Sequence, residues 1–138
     1  DVVLSIDNLV WGHSAGIDVG ELGSIPLITW GPRCLFAPLA TRTLSTAGIE
    51  HRVCFELPST AAVLTALTNG AGVALMNEGL IAGTNIATTG PPQLPALPRV
   101  AYVLRQNPAT ANEPLQHVVA DQIQTSFRPQ PLTGAITT

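Results

Sequence analysis

The chain has 138 residues, of which 46% are hydrophobic and 11% charged, with a formal net charge of −3. This length fits one domain or one lobe of a larger domain, and the composition is apolar enough to bury a core. The six cationic residues are all arginines. Because a duplex-binding surface needs several cations to neutralise phosphates, we expect no direct DNA binding by this chain.

Several other classes are disfavoured by short patterns. No apolar run approaches the roughly 20 residues that span a bilayer, and Asp1 opens the chain without the basic segment of a secretory signal. Two cysteines do not make the disulfide framework of a secreted domain. The three histidines are far apart and match no metal-ligand spacing. We therefore expect a cytoplasmic protein without a metal, a cofactor or a membrane partner.

The chain opens with β-rich segments. Residues 1–6 and 9–11 are short runs that predict strands. Residues 12–24 contain four glycines and little apolar periodicity, which predicts a loop. Ile25–Trp30 predicts a further strand, ended by Gly31-Pro32.

A helix is predicted next. It begins near residues 33–35, because Pro38 is tolerated only in a first turn, and Gly48 lies at the expected position after its C-cap. Its core-facing residues are predicted to be Leu35, Phe36, Leu39, Ala40, Thr43 and Ala47.

Residues 48–79 carry the clearest pattern, a strand, a helix and a strand in direct succession. The run 52–57 is β-rich, Ser59 is a good N-cap, and residues 72–76 form a short buried strand. The helix between them has an apolar stripe of Val63, Leu64 and Leu67, and it ends at Asn69-Gly70.

The remainder alternates between turns and regular elements. Residues 77–83 predict a turn or short helical piece, and residues 84–88 one more strand. Four prolines in nine residues make 90–98 an extended linker, and 99–105 is a strand.

A third helix is predicted near the end of the chain. Its N-terminus is either a capping box from Thr110 to Glu113 or a cap at Asn112, with Pro114 in the first turn. Its apolar face consists of Leu115, Val118, Val119, Ile123 and Phe127.

This order of elements predicts an α/β fold, with a doubly wound, mostly parallel sheet in a flavodoxin-like arrangement. Such sheets bind small molecules at the carboxyl ends of their strands, near helix N-termini.

Four units together resemble the effector-binding domain of LysR-type transcriptional regulators, mainly its second subdomain. The most distinctive unit, residues 56–75, reads E-x-P-S-x-A-x-V-L-x-A-L-x-x-G-x-G-V-A-L. The others are residues 9–12, the strand and helix over 26–49, and the exit at 97–105. The resemblance implies a lobe similar to those of periplasmic binding proteins.

The resemblance also implies an organisation of the chain. Residues 1–11 are the crossover strand region, 12–98 the second lobe, 99–128 the return strand and helix of the first lobe, and 129–138 a C-terminal tail. In the family the effector cleft lies between two lobes, so this chain is expected to hold about one wall. The family binds DNA through a winged helix-turn-helix, which this chain does not contain.

Two strand-end loops, residues 30–34 and 56–60, precede helices and offer N–H groups that suit an anion. Arg33 is either a bidentate clamp or a solvated loop residue, and Ser59 is either an N-cap alone or a ligand contact as well. By resemblance, the effector-facing residues are Pro32, Arg33, Cys34, Leu57, Pro58, Ser59, Asn77 and Glu78.

Cysteine and aromatic residues leave alternatives open. Cys34 at a helix N-terminus is a small packing residue, a redox sensor or, least favoured without a nearby histidine in sequence, a nucleophile. Cys54 is mid-strand and is predicted to be core. Trp11 and Trp30 are predicted to be core or cleft lining, and the histidines surface or hydrogen-bonded structural residues.

The leading hypothesis is therefore an effector-sensing module of a LysR-type regulator, binding a small anionic metabolite and not acting as an enzyme. A solute-binding lobe of the same fold is the alternative, and a flavodoxin-like enzyme is a third that lacks any phosphate-loop or GxSxG motif. Since half of the first lobe is absent, the third helix is expected to expose its apolar face and to drive homo-oligomer formation.

Overall fold

The computed structural model describes residues 1–31 and 33–127. Pro32 and residues 128–138, which include the predicted tail over 129–138, lie outside the described part. The described part contains six strands and three α-helices in the order β1 (Val2–Ser14), β2 (Ile25–Thr29), α1 (Phe36–Thr46), β3 (His51–Glu56), α2 (Thr60–Thr68), β4 (Ala74–Asn77), β5 (Ile86–Thr89), β6 (Arg99–Leu104) and α3 (Pro114–Ser126).

The chain divides into two compact units. One unit consists of Asn8–Arg99, and the other of Asp1–Asp7 with the chain from Val100 onward. β1 pairs antiparallel with β4 and with β5, and β6 also pairs with β1. β2 and β3 pair in parallel.

One short junction links these two sheets within the larger unit. Val73, just before β4, forms a parallel bridge with Leu27 of β2. The Ile28 N–H donates to the Val73 carbonyl at 2.9 Å, and the Val73 N–H donates to the Pro26 carbonyl at 2.8 Å. The strand order across this unit is therefore β3, β2, β4, β1, β5.

The α/β class predicted from the sequence is confirmed, with mixed strand directions. Parallel pairing is found where strands alternate with helices, from β2 to β4, whereas β1 adds antiparallel neighbours. The long β1 replaces two predicted short runs and part of a predicted loop. Gly12 lies within this strand. A Cβ at this position would come within 2.8 Å of the Met76 sulfur, so the position favours glycine.

The core of the larger unit lies between the sheet and α2. Val63 and Leu67, two residues of the predicted stripe, are fully buried against Ile28, Ala74 and Met76. α1 covers the opposite face, where Ala40 and Leu44 are buried. Leu35, predicted to face this core, is the N-cap of α1 and is 86% exposed.

The predicted proline-rich linker over 90–98 packs against the larger unit. Leu94 is buried, and the Trp11 indole N–H donates to the Pro95 carbonyl at 2.9 Å. Trp11 is therefore a core residue, 1% exposed. A linker of this kind is held by side-chain burial, which composition alone does not reveal.

The smaller unit exposes much of its apolar surface. Its helix α3 buries Ala120, whereas Leu115, Val118 and Val119 of the predicted apolar face are exposed. α3 begins at Pro114 after the N-cap Glu113, which makes no side-chain cap bond, so neither predicted cap forms. Arg105 and Asp1 form an exposed two-bond ion pair at 2.8 and 3.0 Å.

The junction between β2 and β4 requires glycine at position 72. A Cβ on Gly72 would collide with the Pro26 carbonyl oxygen. Gly72→Ala must separate the strands, so we expect a loss of about 1–3 kcal/mol in unfolding free energy, measured by urea denaturation.

Gly23→Ala is the matched control, because a Cβ at Gly23 would meet nothing within 4 Å. Equal midpoints for the two variants would contradict the close approach.

Candidate functional site

Three strands of the larger unit end at the same edge. β2, β3 and β4 run in one direction, as the β2–β3 ladder and the Leu27–Val73 bridge show. The carboxyl ends of these strands and the residues after them, 30–31, 33–34, 57–59 and 77–78, therefore lie along the same edge of the sheet. These residues include the effector-facing residues implied by the resemblance, apart from Pro32, which lies outside the described part.

The order of these strands places a topological switch point at that edge, the position at which open α/β sheets form a crevice. The chain steps from β2 to β3 on one side and then returns across β2 to β4. α1 and α2 consequently lie on opposite faces, as their separate buried contacts show. The carboxyl ends of β2 and β4 flank the point where the winding direction reverses, which is where open α/β sheets bind ligands.

Two buried polar side chains flank this crevice without a partner. Thr29 is the last residue of β2 and is 5% exposed, and Asn77 is the last residue of β4 and is 6% exposed. The Thr29 hydroxyl and the Asn77 amide nitrogen have no hydrogen-bond partner among the described residues. A buried polar group left unpaired costs about 1–3 kcal/mol, so both atoms need an explanation.

Both side chains face the α1 side of the sheet. In the register that bridges Leu27 and Val73, Thr29 lies opposite Leu75. Asn77 follows Leu75 by two residues on the same face, about 7 Å further along the strand. A narrow depression on this face is lined by Ile28, Thr29, Trp30, Cys34, Phe36, Ala37, Ala40 and Leu75.

The two helix N-termini at this edge differ in their capping. Ser59 has an extended backbone, and its hydroxyl accepts a hydrogen bond from the Ala62 N–H at 3.2 Å, so α2 is capped. α1 begins after Leu35, which provides no side-chain cap, and its first turn holds no acidic residue. Its first N–H groups therefore remain available to an external acceptor.

Hydrogen bonds hold each of the three segments to a neighbouring element. The Leu57 N–H donates to the Thr29 carbonyl at 2.8 Å. The Trp30 indole N–H donates to the Thr60 hydroxyl at 3.2 Å, which ties the segment after β2 to the start of α2. The Asn8 amide donates to the Glu78 carboxylate at 2.8 Å. These bonds brace the edge, whereas the Thr29 hydroxyl and the Asn77 amide nitrogen have no partner among the described residues.

The predicted site residues have different exposures. Arg33 is exposed, and it has no ion-pair partner in the described ranges. Cys34 and Leu57 are half-buried, Asn77 is buried, and Pro58, Ser59 and Glu78 are exposed. Pro32 lies outside the described residues.

Sequence reasoning missed Thr29 at this site. The available signal was a single hydroxyl at the end of an otherwise apolar strand, just before Gly31. Trp30, left open between core and cleft, packs beside the core cluster while its indole bonds Thr60.

Two further titratable residues, one cysteine and one histidine, lie outside these strand-end residues. Cys54, predicted to be core, is exposed. β3 is exposed from Arg52 to Glu56, and Cys54 is also the extra residue of an irregular register, in which Leu27 pairs with Val53 and Ile28 with Phe55. His13 is buried and structural, since its ring bonds the Ser14 carbonyl at 2.8 Å and the Thr89 hydroxyl at 2.7 Å.

The described residues contain neither a metal-binding cluster nor a membrane-spanning helix. Within residues 1–31 and 33–127, no three His, Cys, Asp or Glu side chains are grouped so as to hold a metal ion. No helix in the same part of the chain has the length and apolar character needed to cross a membrane.

Comparison with known proteins places these features in a family. The family model described as "LysR substrate binding domain" matches residues 7–125. The HTH-type transcriptional regulator DgdR of Burkholderia cepacia is 27% identical over 105 residues. These residues cover 76% of this chain but only 36% of DgdR, so the chain spans a minor part of that relative's length.

Solved structures share the fold. The CcmR regulatory domain of Synechocystis PCC6803, in complex with 2-PG, matches with a TM-score of 0.62 at 12% identity, over 93% of this chain and 66% of its own. The effector binding domain of QuiR, in complex with shikimate, matches with a TM-score of 0.53 at 12% identity, over 91% of this chain and 61% of its own. These matches confirm the predicted fold class.

The capping geometry predicts how two substitutions at position 59 differ. Ser59→Ala removes the acceptor for the Ala62 N–H and should lower the unfolding free energy by about 1 kcal/mol. Ser59→Gly should lower the unfolding free energy by only a few tenths of a kcal/mol, because glycine caps nearly as well as serine. A change of this size is roughly the smallest that chemical denaturation resolves. An alanine variant as stable as the glycine variant would show that the cap contributes nothing.

Proposed function

The chain belongs to the LysR substrate binding domain family, and we propose that it senses a small organic acid on behalf of a DNA-binding transcriptional regulator. The observation that carries the proposal is the pair of unpaired, buried polar atoms on Thr29 and Asn77. They flank the crevice between β2 and β4, where the fold favours ligand binding.

The chemistry of this edge favours a carboxylate. The Asn77 amide nitrogen is a donor, and the Thr29 hydroxyl can donate as well, so both suit a ligand oxygen. The uncapped start of α1 adds N–H groups and the positive end of a helix dipole. Arg33, in the segment that joins β2 to α1, supplies a cation. QuiR was solved with shikimate, a carboxylate, which agrees with this ligand class.

The proposed roles of the predicted residues follow from their positions. Arg33 and the N–H groups from Leu35 onward bind the anionic end of the ligand, and Asn77 binds a second oxygen, whereas the Cys34 N–H already donates to the Gly31 carbonyl. Leu57 and Pro58 form an apolar border. Ser59 caps α2, and Glu78 holds Asn8. The chain thereby supplies one wall of the ligand site.

The whole-protein context is part of the same proposal. DNA binding belongs to a winged helix-turn-helix domain separate from this chain, in keeping with the short share of DgdR that the chain matches. The regulator acts in the cytoplasm, is not an enzyme and forms a homo-oligomer. The family match favours this function over a free solute-binding lobe or a flavodoxin-like enzyme.

Thr29→Val separates a ligand contact from a structural role. Valine keeps the shape of threonine and removes a hydroxyl that has no partner in the described chain. We expect the free protein to be as stable or up to about 1–3 kcal/mol more stable. Affinity should fall about tenfold for the best ligand of a thermal-shift screen of small carboxylic acids that includes shikimate.

Thr65→Val on the exposed side of α2 is the matched control and should leave affinity unchanged.

Arg33→Gln should weaken carboxylate binding and reduce its salt dependence. Ser59→Gly should bind like the wild type if Ser59 is a cap alone. A Thr29→Val protein that is less stable but binds normally would assign the hydroxyl to the fold and remove it from the site.

The homo-oligomer is proposed to form through the exposed face of α3. Leu115, Val118 and Val119 are 71%, 58% and 47% exposed, an apolar patch that favours association. Val118→Asp should therefore shift the sedimentation of the chain toward smaller species. Gln122→Asp, at an exposed position of the same helix, is the control and should not. Unchanged assembly in Val118→Asp would exclude this face.

A further inference from the structure

The last residue of β3 adds a carboxylate to the edge that carries Thr29 and Asn77. Glu56 ends β3 and pairs with Thr29 in the parallel ladder of β2 and β3. Residues paired across neighbouring strands point to the same face of a sheet, so Glu56 shares the α1 side with the Thr29 hydroxyl. The strands are about 4.8 Å apart, which brings the Glu56 carboxylate within reach of a ligand that touches Thr29.

The packing of the neighbouring residues agrees with this orientation. Ile28, just before Thr29, and Leu57, just after Glu56, both pack in the core cluster that contains Val63 of α2. Because successive residues of an extended chain point to opposite faces, Thr29 and Glu56 point away from α2. Thr29 is buried, whereas Glu56 is exposed. A carboxylate therefore lies at the open border of a buried, unpaired hydroxyl.

Glu56 and Arg33 are opposite charges at one edge of the sheet that do not pair with each other. Within residues 1–31 and 33–127 the Glu56 carboxylate has no hydrogen bond, and neither side chain takes part in an ion pair. Glu78, a second carboxylate at this edge, already accepts a hydrogen bond. The edge thus offers one cation and one anion beside two unpaired polar atoms, an arrangement complementary to a molecule that carries both charges.

We propose that the ligand of this edge is an α-amino acid in its zwitterionic form, with Glu56 binding the ammonium group. The inference rests on the proposed function, because it assigns the second charge of the same ligand. The carboxylate of the amino acid binds the Thr29 hydroxyl, the Asn77 amide nitrogen and the cationic start of α1. The ammonium group is attached to the next carbon, so it lies beside Thr29 and donates a charge-assisted hydrogen bond to Glu56.

The same carboxylate disfavours acids that lack an amine. A ligand carboxylate held at Thr29 lies one strand away from Glu56, and like charges at that distance repel. A hydroxyl in place of the ammonium group offers Glu56 a hydrogen bond but no charge to offset this repulsion. Glu56 therefore selects amino acids both by binding the ammonium group and by repelling ligands that are anions only.

Matched ligand pairs test the proposal on the whole chain by isothermal titration calorimetry. The twenty common L-amino acids are screened first, and the best binder is compared with the L-2-hydroxy acid that has the same side chain. The two ligands differ only in the group that faces Glu56. The amino acid should bind about fivefold more tightly, the upper value for one exposed ion pair.

Charge removal assigns this preference to one residue. Glu56→Gln should weaken binding of the amino acid about fivefold and should leave the hydroxy acid unchanged or bound more tightly. Glu50→Gln is the matched control and should change neither affinity, because Glu50 is also exposed but lies just before the other end of β3. A general loss of folding in Glu56→Gln would weaken both ligands alike, so the opposite responses identify a direct contact.

The outcomes separate this inference from the proposed function. A chain that binds shikimate or another amine-free carboxylic acid but none of the twenty amino acids overturns the inference and leaves the acid-sensing site in place. An amino acid that binds no more tightly than its hydroxy acid, or that binds Glu56→Gln as well as the wild type, overturns it too. A chain that binds neither class of ligand overturns the ligand site itself, and the inference with it.

Discussion

The larger unit depends on the close approach of β2 and β4. Two backbone hydrogen bonds, between Val73 and the residues on either side of Leu27, join the parallel pair β2–β3 to the antiparallel strands β4, β1 and β5. The approach is possible because Gly72 lacks a Cβ that would collide with the Pro26 carbonyl. The same junction reverses the winding direction of the sheet, so the constraint that holds the unit together also creates its crevice.

At the edge of this crevice, the structure treats two similar helix starts differently. α2 is satisfied within the chain by Ser59, and its first residue is tied to Trp30. α1 follows the glycine turn at Gly31 without a side-chain cap, next to the unpaired Thr29 hydroxyl. Helix stability at α1 therefore comes from burial of Ala40 and Leu44, and its polar end is left for an external acceptor.

Much of the unit was predictable because its local signals agree. Ser59, the stripe of Val63 and Leu67 and the Asn69-Gly70 stop all act within one helix, and the structure confirms each of them. Features that depend on distant partners were not predictable. Gly12 is typical of a loop until Met76 is brought against it, and Cys54 is typical of a core strand until β3 proves to be exposed from Arg52 to Glu56. Of the candidate site, the sequence indicates the strand-end loops, but Thr29 becomes notable only when its burial and missing partner are known.

In the proposed ligand site, the unpaired atoms on Thr29 and Asn77 connect stability with specificity. Their separation from water has already cost free energy in the folded protein. A ligand that offers oxygen atoms to both regains hydrogen bonds without a further desolvation cost on the protein side, whereas an apolar analogue of equal size regains none. Buried, polar sites of this kind discriminate strongly against ligands that lack the matching group. A site built this way keeps the free state slightly strained and the bound state satisfied, and that difference in free energy is what a sensor needs to respond to its ligand.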